Sequence, residues 1–504
     1  MRTLYRATRV ATLTHPAVGE WLLVDDRHVE RVGTGEPPAA DRVVDLPGTT
    51  ILPGFIDAHV HLTGTGIDQS GPSLDQCRSA EALVATVAKA SATGRQGALF
   101  CHGFDETAWH RPRLPTLQDL DRASAKPIIV VRADGHVSLS NSAALHESAV
   151  LGMRGVETDE AGSPTGVVRR EANWALQRWF HESLSDREVQ EYQLRAAGLA
   201  ASRGITCVHE MAIPNSRGPR DFEVLMAHRD RLPVDMVPYV ASMDIPLVMD
   251  FALSRIGGDL ALDGSIGART ACLSQPYADG DGLGVAYIEG DALVEFFHNA
   301  HLAGLQVAVH AIGDAAIEQC LSAWERVYAA LDSRWRRHFR ARRHRVEHFE
   351  MPTSDHVERA AMLGLTISVQ PGFDSTWGRP GGLYEQRLGE DRALAMNPFR
   401  TLLLRGLAVG GGSDSPVTAL DPMEGIAALE AHHYPMERLN REEALRMFTQ
   451  GSAALAHLDD KKGRLEPGAH ADFAAYERDP TSEDNVRNLR PVLTVSMGRE
   501  VFAR

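Results

Sequence analysis

A chain of 504 residues that is 43% hydrophobic and carries a formal charge of −15 is long enough to bury a sizeable core, and its acidic groups are dispersed rather than blocked. That balance argues against nucleic acid or an anionic membrane as a partner and for an ordinary soluble protein, with small neutral or cationic substrates left open. Five scattered cysteines without a CxxC pair argue against a disulfide framework or a cysteine zinc site. With no signal-like leader and no long apolar span, the expected setting is the reducing cytoplasm.

Residues 1 to about 50 break into strand-like runs, "RATRVATL", "EWLLVDD", "HVERVG" and "RVVDLPG", separated by turn residues. "PGFIDAHVHL" follows at residues 53–62. Beyond it, the β runs "ALFCHGFD", "PIIVVRADGH", "GITCVHEM", "VDMVPYV", "DLALDG", "LQVAVHAIGD", "HRVEHF", "LTISVQP" and "LAVGGGSDSP" alternate with helix-like stretches such as "SAEALVATVAKASATG" and "GDALVEFFHNAHLAG". Sustained β-then-α order predicts an α/β protein with a parallel sheet, most economically a (β/α)8 TIM-like barrel with insertions over residues 51–454. The chain then returns to short strands in "KGRLEPGAHADFAAYERDP" and "PVLTVSMGREVFAR", so residues 1–50 and 455–504 are expected to pair as one small β domain.

Side chains of an extended run alternate between faces, so Asp57, His59 and His61 point one way and Ile56, Ala58, Val60 and Leu62 the other. A barrel presents its chemistry at the C-terminal strand ends. His310 closes the face of Gln306 and Ala308, His348 closes "HRVEHF", and Asp414 follows Ala408, Gly410 and Gly412. Singly, each reads as well as a structural hydrogen-bonding or turn residue. Together they form four imidazoles and a carboxylate directed at one mouth, a donor set for a divalent metal.

Taken in order, "PGFIDAHVHL", "ADGHVSLSNSAAL", "DGSIGARTACLSQPYAD", "VHAIGD", "RVEH" and "GSDSP" resemble the amidohydrolase superfamily, in particular its YtcJ-like branch of the formamide-deformylase type, over nearly the whole chain. "GRLEPGAHADFAAYERDP" is similar to that family's return to its small β domain. The resemblance implies a metal-dependent hydrolase acting on carbon–nitrogen bonds other than peptide bonds, with the barrel joined to a composite β-sandwich formed by both chain ends. It assigns His59, His61, His310, His348 and Asp414 as ligands of a divalent metal, Zn²⁺ first, and gives Asp414 and His348 catalytic roles. Metal-acidified water would attack a carbonyl, Asp414 would take its proton and return it to the leaving nitrogen, and His136 would steady the developing oxyanion. A homodimer is a further implication.

One position departs from the family pattern. The segment before "DGS" ordinarily carries a lysine, carboxylated to bridge two metals in binuclear members; here Asp259 of "GGDLALDGSIG" stands there. Aspartate is several atoms shorter, so of one or two ions one is favoured, held by His59, His61, His310 and Asp414 with His348 near water or substrate. The alternatives are Asp259 as a ligand if the backbone comes closer, or a different carboxylate, Glu171 or Glu210. Trp109 and Arg269 are substrate-side candidates that read equally as packing and internal ion pairing. Residues 371–398, with Trp377 and Tyr384, read as a lid or a plain insertion. The leading expectation is hydrolysis of a small amide, formamide or imide. A one-metal deaminase of a heterocyclic amine and a non-catalytic binding protein on the same fold are the alternatives.

Overall fold

In the computed structural model, which describes residues 1–14, 17–93 and 97–504, eight strands run parallel and are largely buried, as strands covered on both faces must be. They are β1 (Phe55–Val60), β2 (Ile205–Ala212), β3 (Asp235–Val240), β4 (Arg255–Ile256), β5 (Gln306–Ala311), β6 (Arg345–His348), β7 (Thr366–Val369) and β8 (Ala408–Gly411). β3, β2 and β1 form one parallel sheet, and β4 through β8 form another. The two sheets meet at both seams. The Gly257 amide donates to the Val240 carbonyl at 2.8 Å, and the Asp414 amide donates to the His59 carbonyl at 2.8 Å. Among the described residues no continuous ladder closes them into a ring, and the class is mixed α/β.

A helix precedes each strand from β2 onward, for example Asp186–Ser202 before β2, Gly290–Leu302 before β5 and Asp314–Ala330 before β6. Helix Asp186–Ser202 starts at a capping box between Ser185 and Glu188 and buries a stripe of small residues, Ala196, Ala197, Ala200 and Ala201, which lets it pack closely. Trp324, wholly buried on helix Asp314–Ala330, stacks between Phe297 and His344, with ring centroids 4.0 Å away on each side. His344 Nδ1 accepts from the Val307 amide of β5 at 3.0 Å. The stack therefore fixes β5 against β6 just upstream of His348.

The chain ends meet in one seven-stranded sheet. Its order is Arg499–Ala503, Pro491–Ser496, Phe473–Tyr476, Arg42–Pro53, Arg2–Ala11, Val18–Asp25 and His28–Gly33. Alternation sends Tyr5, Leu22, Val24, Ile51, Phe473 and Val495 into one apolar cluster, while Leu52, Ala474 and Tyr476 pack on the main core beside the parallel strands. Buried Lys462 joins the two regions, reaching Asp472 at 2.7 Å and Asp235 of β3 at 3.0 Å.

Two β runs fall elsewhere than among the eight. "ALFCHGFD" and "PIIVVRADGH" supply strands Leu99–Phe104 and Ile128–Arg132 of a separate five-stranded sheet inserted between β1 and β2, with Val137–Ser140, Pro164–Arg169 and Val156–Thr158. Apolar period alone does not say which sheet a buried strand joins. "DLALDG" is not a strand either. β4 stops at Ile256, and Gly257 (φ +90°) and Gly258 (φ +78°) turn the backbone inward to present Asp259. A Cβ on Gly257 would lie 1.9 Å from the Ala308 carbonyl oxygen, so only glycine fits. No described helix is long and apolar enough to cross a membrane.

Truncating the stacked indole tests this packing: Trp324→Ala should lower unfolding free energy by about 3–5 kcal/mol, read by urea denaturation. Gly257→Ala should cost about 1–3 kcal/mol through backbone strain and pull Asp259 back, visible as weakened metal retention on dialysis.

Candidate metal centre at the strand ends

His59 and His61 leave β1 on one face, His310 stands in β5, His348 ends β6, and Asp414 follows β8. All are buried. His348 (φ +68°) and Asp414 (φ +53°) both occupy the left-handed region, a strained conformation for non-glycine residues that turns their side chains off the strand line. Asp57 holds the β1–β8 seam by accepting the amides of His59 (3.1 Å) and Ser413 (3.0 Å).

Each imidazole is aimed by a hydrogen bond on its other nitrogen. His59 Nδ1 donates to Glu347 Oε2 at 2.9 Å, His61 Nδ1 to the Met211 carbonyl at 2.7 Å, and His348 Nδ1 to Gln370 Oε1 at 2.8 Å. Their Nε2 atoms are thereby turned toward one point, the support that metal-binding histidines require. Glu347 is held in turn by the fully buried Arg345, whose Nη2 donates to Oε2 at 2.8 Å. His310 differs: Nε2 donates to the Gly264 carbonyl (3.2 Å) and Nδ1 faces Asp259 at 3.1 Å.

The acceptor atoms converge. Asp414 Oδ1 lies 3.4 Å from His59 Nε2 and 3.1 Å from His61 Nε2. Asp259 Oδ1 lies 3.5 Å from His348 Nε2 and 4.0 Å from His59 Nε2, and its Oδ2 lies 3.6 Å from His61 Nε2. Among the described residues, His59 Nε2, His348 Nε2 and Asp414 Oδ1 are buried without any hydrogen-bond partner, which is costly unless something else binds them. Two donor groups suited to a metal ion share His59: one with His61 and Asp414, the other with Asp259 and His348.

Electrostatics point the same way. Burial alone would lower the His59 value, but Asp414, Glu347 and Asp259 push it up to about 9; burial is likewise outweighed at His310, which Asp259 and Asp263 raise to about 9. Burial would raise both carboxylates, yet the surrounding imidazoles hold Asp259 well below, and Asp414 below, the ordinary range. The cluster thus calls for positive charge that protons or a metal dication can supply.

Asp259 is therefore brought into the cluster by the glycine turn, although its shorter side chain argued against such reach. His136 lines the adjoining cavity of about 670 Å³, its ring 6.3 Å from that of His310. Glu171 lines the cavity but belongs to neither donor group, and Glu210 on β2 accepts the Leu62 amide at 2.8 Å. Trp109 does not reach the cavity: it packs in the core of the inserted sheet, 6.3 Å from Phe104. Nor does Arg269, which is half-exposed and bound to both oxygens of Asp279 (2.9 and 2.7 Å). Residues 371–398 hold helices Pro371–Trp377, Leu383–Leu388 and Glu390–Leu394. They roof the cavity with Phe373, Trp377, Leu383 and Tyr384, the Phe373 ring lying parallel to His348 at 5.9 Å. Glu347 and Gln370 escaped the sequence reading, although both stand at strand ends where the same reasoning finds His348.

Arg132, 1% exposed, clamps the wall bearing His136. It donates to Glu106 (2.9 Å), Asp134 (2.7 Å) and Asp105 (3.1 Å), and Asp105 also accepts the Trp377 indole at 3.0 Å. Burial would raise Asp134, but Arg132 holds it down at about 2. Replacing Arg132 with Met strands three carboxylates and should cost about 3–5 kcal/mol in urea unfolding. The stability that Asp134 adds is complete above the ordinary aspartate value of about 3.9 and vanishes as pH falls through about 2; Asp134→Asn should flatten that acid limb.

The amidohydrolase family profile matches residues 42–502. YtcJ of Bacillus subtilis (strain 168) is 27% identical over 92% of this chain and 90% of its own. N-substituted formamide deformylase of Arthrobacter pascens is 25% identical over 89% of this chain and 86% of its own. Among solved structures, an uncharacterized metal-dependent hydrolase from Pyrococcus furiosus is 27% identical, with a TM-score of 0.75 over 96% of this chain and 100% of that one. With the match running from the last strand of the N-terminal segment to the final strand, the chain belongs to the amidohydrolase family.

Proposed function

We propose that the protein is a metal-dependent hydrolase cleaving a C–N bond of a small amide, formamide or imide-type compound. The observation that carries this is the convergence of His59 Nε2, His348 Nε2 and Asp414 Oδ1, buried and partnerless beside the cavity. Similarity to a formamide deformylase and to a metal-dependent hydrolase supports the same reading. The eight parallel strands are read as a (β/α)8 barrel over residues 51–454, with residues 1–50 and 455–504 as a β-sandwich folded from the seven-stranded sheet.

The donors fit a divalent ion, Zn²⁺ first. His59 with His61 and Asp414, or His59 with Asp259 and His348, would hold it, and His310 stands against Asp259. Asp259 presents Oδ1 to His310 and His348 and Oδ2 to His61, so it would join these imidazoles in holding the metal. A metal held there supplies Lewis acidity, acidifying water and polarising a carbonyl. Asp414 accepts the proton of the attacking water and returns it to the leaving nitrogen. His136, kept neutral by burial, donates to the carbonyl oxygen as charge develops on it. Phe373 and Trp377 exclude bulk water.

Asp414→Asn should lower kcat/KM about 10²- to 10⁴-fold on any N-formyl or N-acyl amine the protein turns over; unchanged turnover, or turnover that survives a strong chelator, would refute the reading. Elemental analysis should find at least about one divalent ion per chain, with occupancy falling in Asp259→Ala.

A further inference from the structure

Among the described residues, a buried arginine in the same cavity has no counter-ion in contact with it. Arg217 ends the short helix Pro214–Arg217 that follows β2; it is 8% exposed and lines the cavity. Its Nη1 is buried without a hydrogen-bond partner, and among the described residues its guanidinium makes no ion pair. The acids that face it, Glu210 on β2 and Asp221 on helix Pro219–His228, act on it only through space. Each is already engaged, Glu210 by the Leu62 amide and Asp221 by the Thr63 hydroxyl at 2.7 Å. Burying an unpaired charge is expensive, and buried Arg132 and Arg345 both have carboxylate partners.

A second partnerless group lies nearby. His181 of helix Arg170–Glu182 is 5% exposed, lines the cavity, and has no partner for Nδ1. Burial first, and Arg217 second, keep its imidazole neutral. Gly64 makes room for the guanidinium: a Cβ there would lie 2.4 Å from Arg217 Nη2 and 3.3 Å from Pro416 Cδ. Gly64 follows His61 by one helical turn and Pro416 closely follows Asp414, so the pocket flanks that corner of the donor cluster.

We infer that Arg217 and His181 form an anion subsite, and that the substrate is an amide bearing a carboxylate within a few bonds of the scissile C–N bond, as in an N-acyl amino acid. The substrate class rests on the hydrolase reading; the subsite is a claim about binding. The planar guanidinium offers a carboxylate two parallel N–H donors, and the neutral imidazole adds a third.

N-Methanesulfonyl derivatives of glycine, alanine, leucine and phenylalanine, which an amide hydrolase does not cleave, and their methyl esters can be titrated into the holoenzyme by calorimetry. The acids should bind about 10- to 100-fold tighter than the esters. Arg217→Met should erase that preference and Arg217→Lys keep part of it; Gly64→Ala, which retains the arginine but crowds it, should weaken acid binding. Tm of Arg217→Met should stay level or rise, because an unpaired buried charge is removed. Equal affinity for acids and esters, no acid binding at millimolar concentration, or a fall in Tm with the preference intact would each overturn the inference. Intact acid preference in a protein that turns over no amide would sink the hydrolase reading and uphold the subsite.

Discussion

Negative charge held out of water at the strand ends is the constraint on which the rest of the structure depends. Asp259, Asp414 and Glu347 stand within reach of His59, His61, His310 and His348, with Asp414, Glu347 and all four imidazoles buried and Asp259 18% exposed. Carboxylates so placed are tolerable only with positive charge among them. Those carboxylates drive His59 and His310 upward, so these two imidazoles accept charge as protons and can exchange it for a metal dication. The binding chemistry and the electrostatic balance of the fold are one problem.

The scaffold solves that problem with backbone rather than with long side chains. Positive φ at His348 and Asp414 swings both off their strands, and the Gly257–Gly258 turn moves Asp259 inward by bringing its main chain closer. Such conformations persist only where their surroundings over-determine them. Here the Asp57 amide bonds, the Arg345–Glu347 pair and the Trp324 stack do so. The same economy governs the wall opposite, where Arg132 ties the inserted sheet to the roof through Asp105 and Trp377.

Legibility in the sequence followed how local each cause is. The alternation of "FIDAHVH" needs only neighbouring residues, so the common face of His59 and His61 could be read directly, as could the strand-end places of His310, His348 and Asp414. "ALFCHGFD" and "PIIVVRADGH" are strands by the same rule, but sheet membership is decided by partners far along the chain. Trp109 and Arg269 illustrate the converse. Residue type left substrate contact and internal packing or ion pairing both open, and the packing of Phe104 and the position of Asp279 gave each an internal partner.

What the amino-acid sequence alone determined was the chemistry available: a β–α order, a small β unit shared by both ends, and donors at strand ends spaced for a metal, because period and residue type are properties of short stretches. Tertiary structure decided what those stretches meet. It brought a short aspartate to where a longer side chain was expected, set Glu347 and Gln370 behind their imidazoles, and left Arg217 in a cavity wall with no counter-ion in contact among the described residues. Distances between residues remote in sequence are fixed only when the chain closes on itself, so partnership, and the lack of it, are properties of the folded molecule.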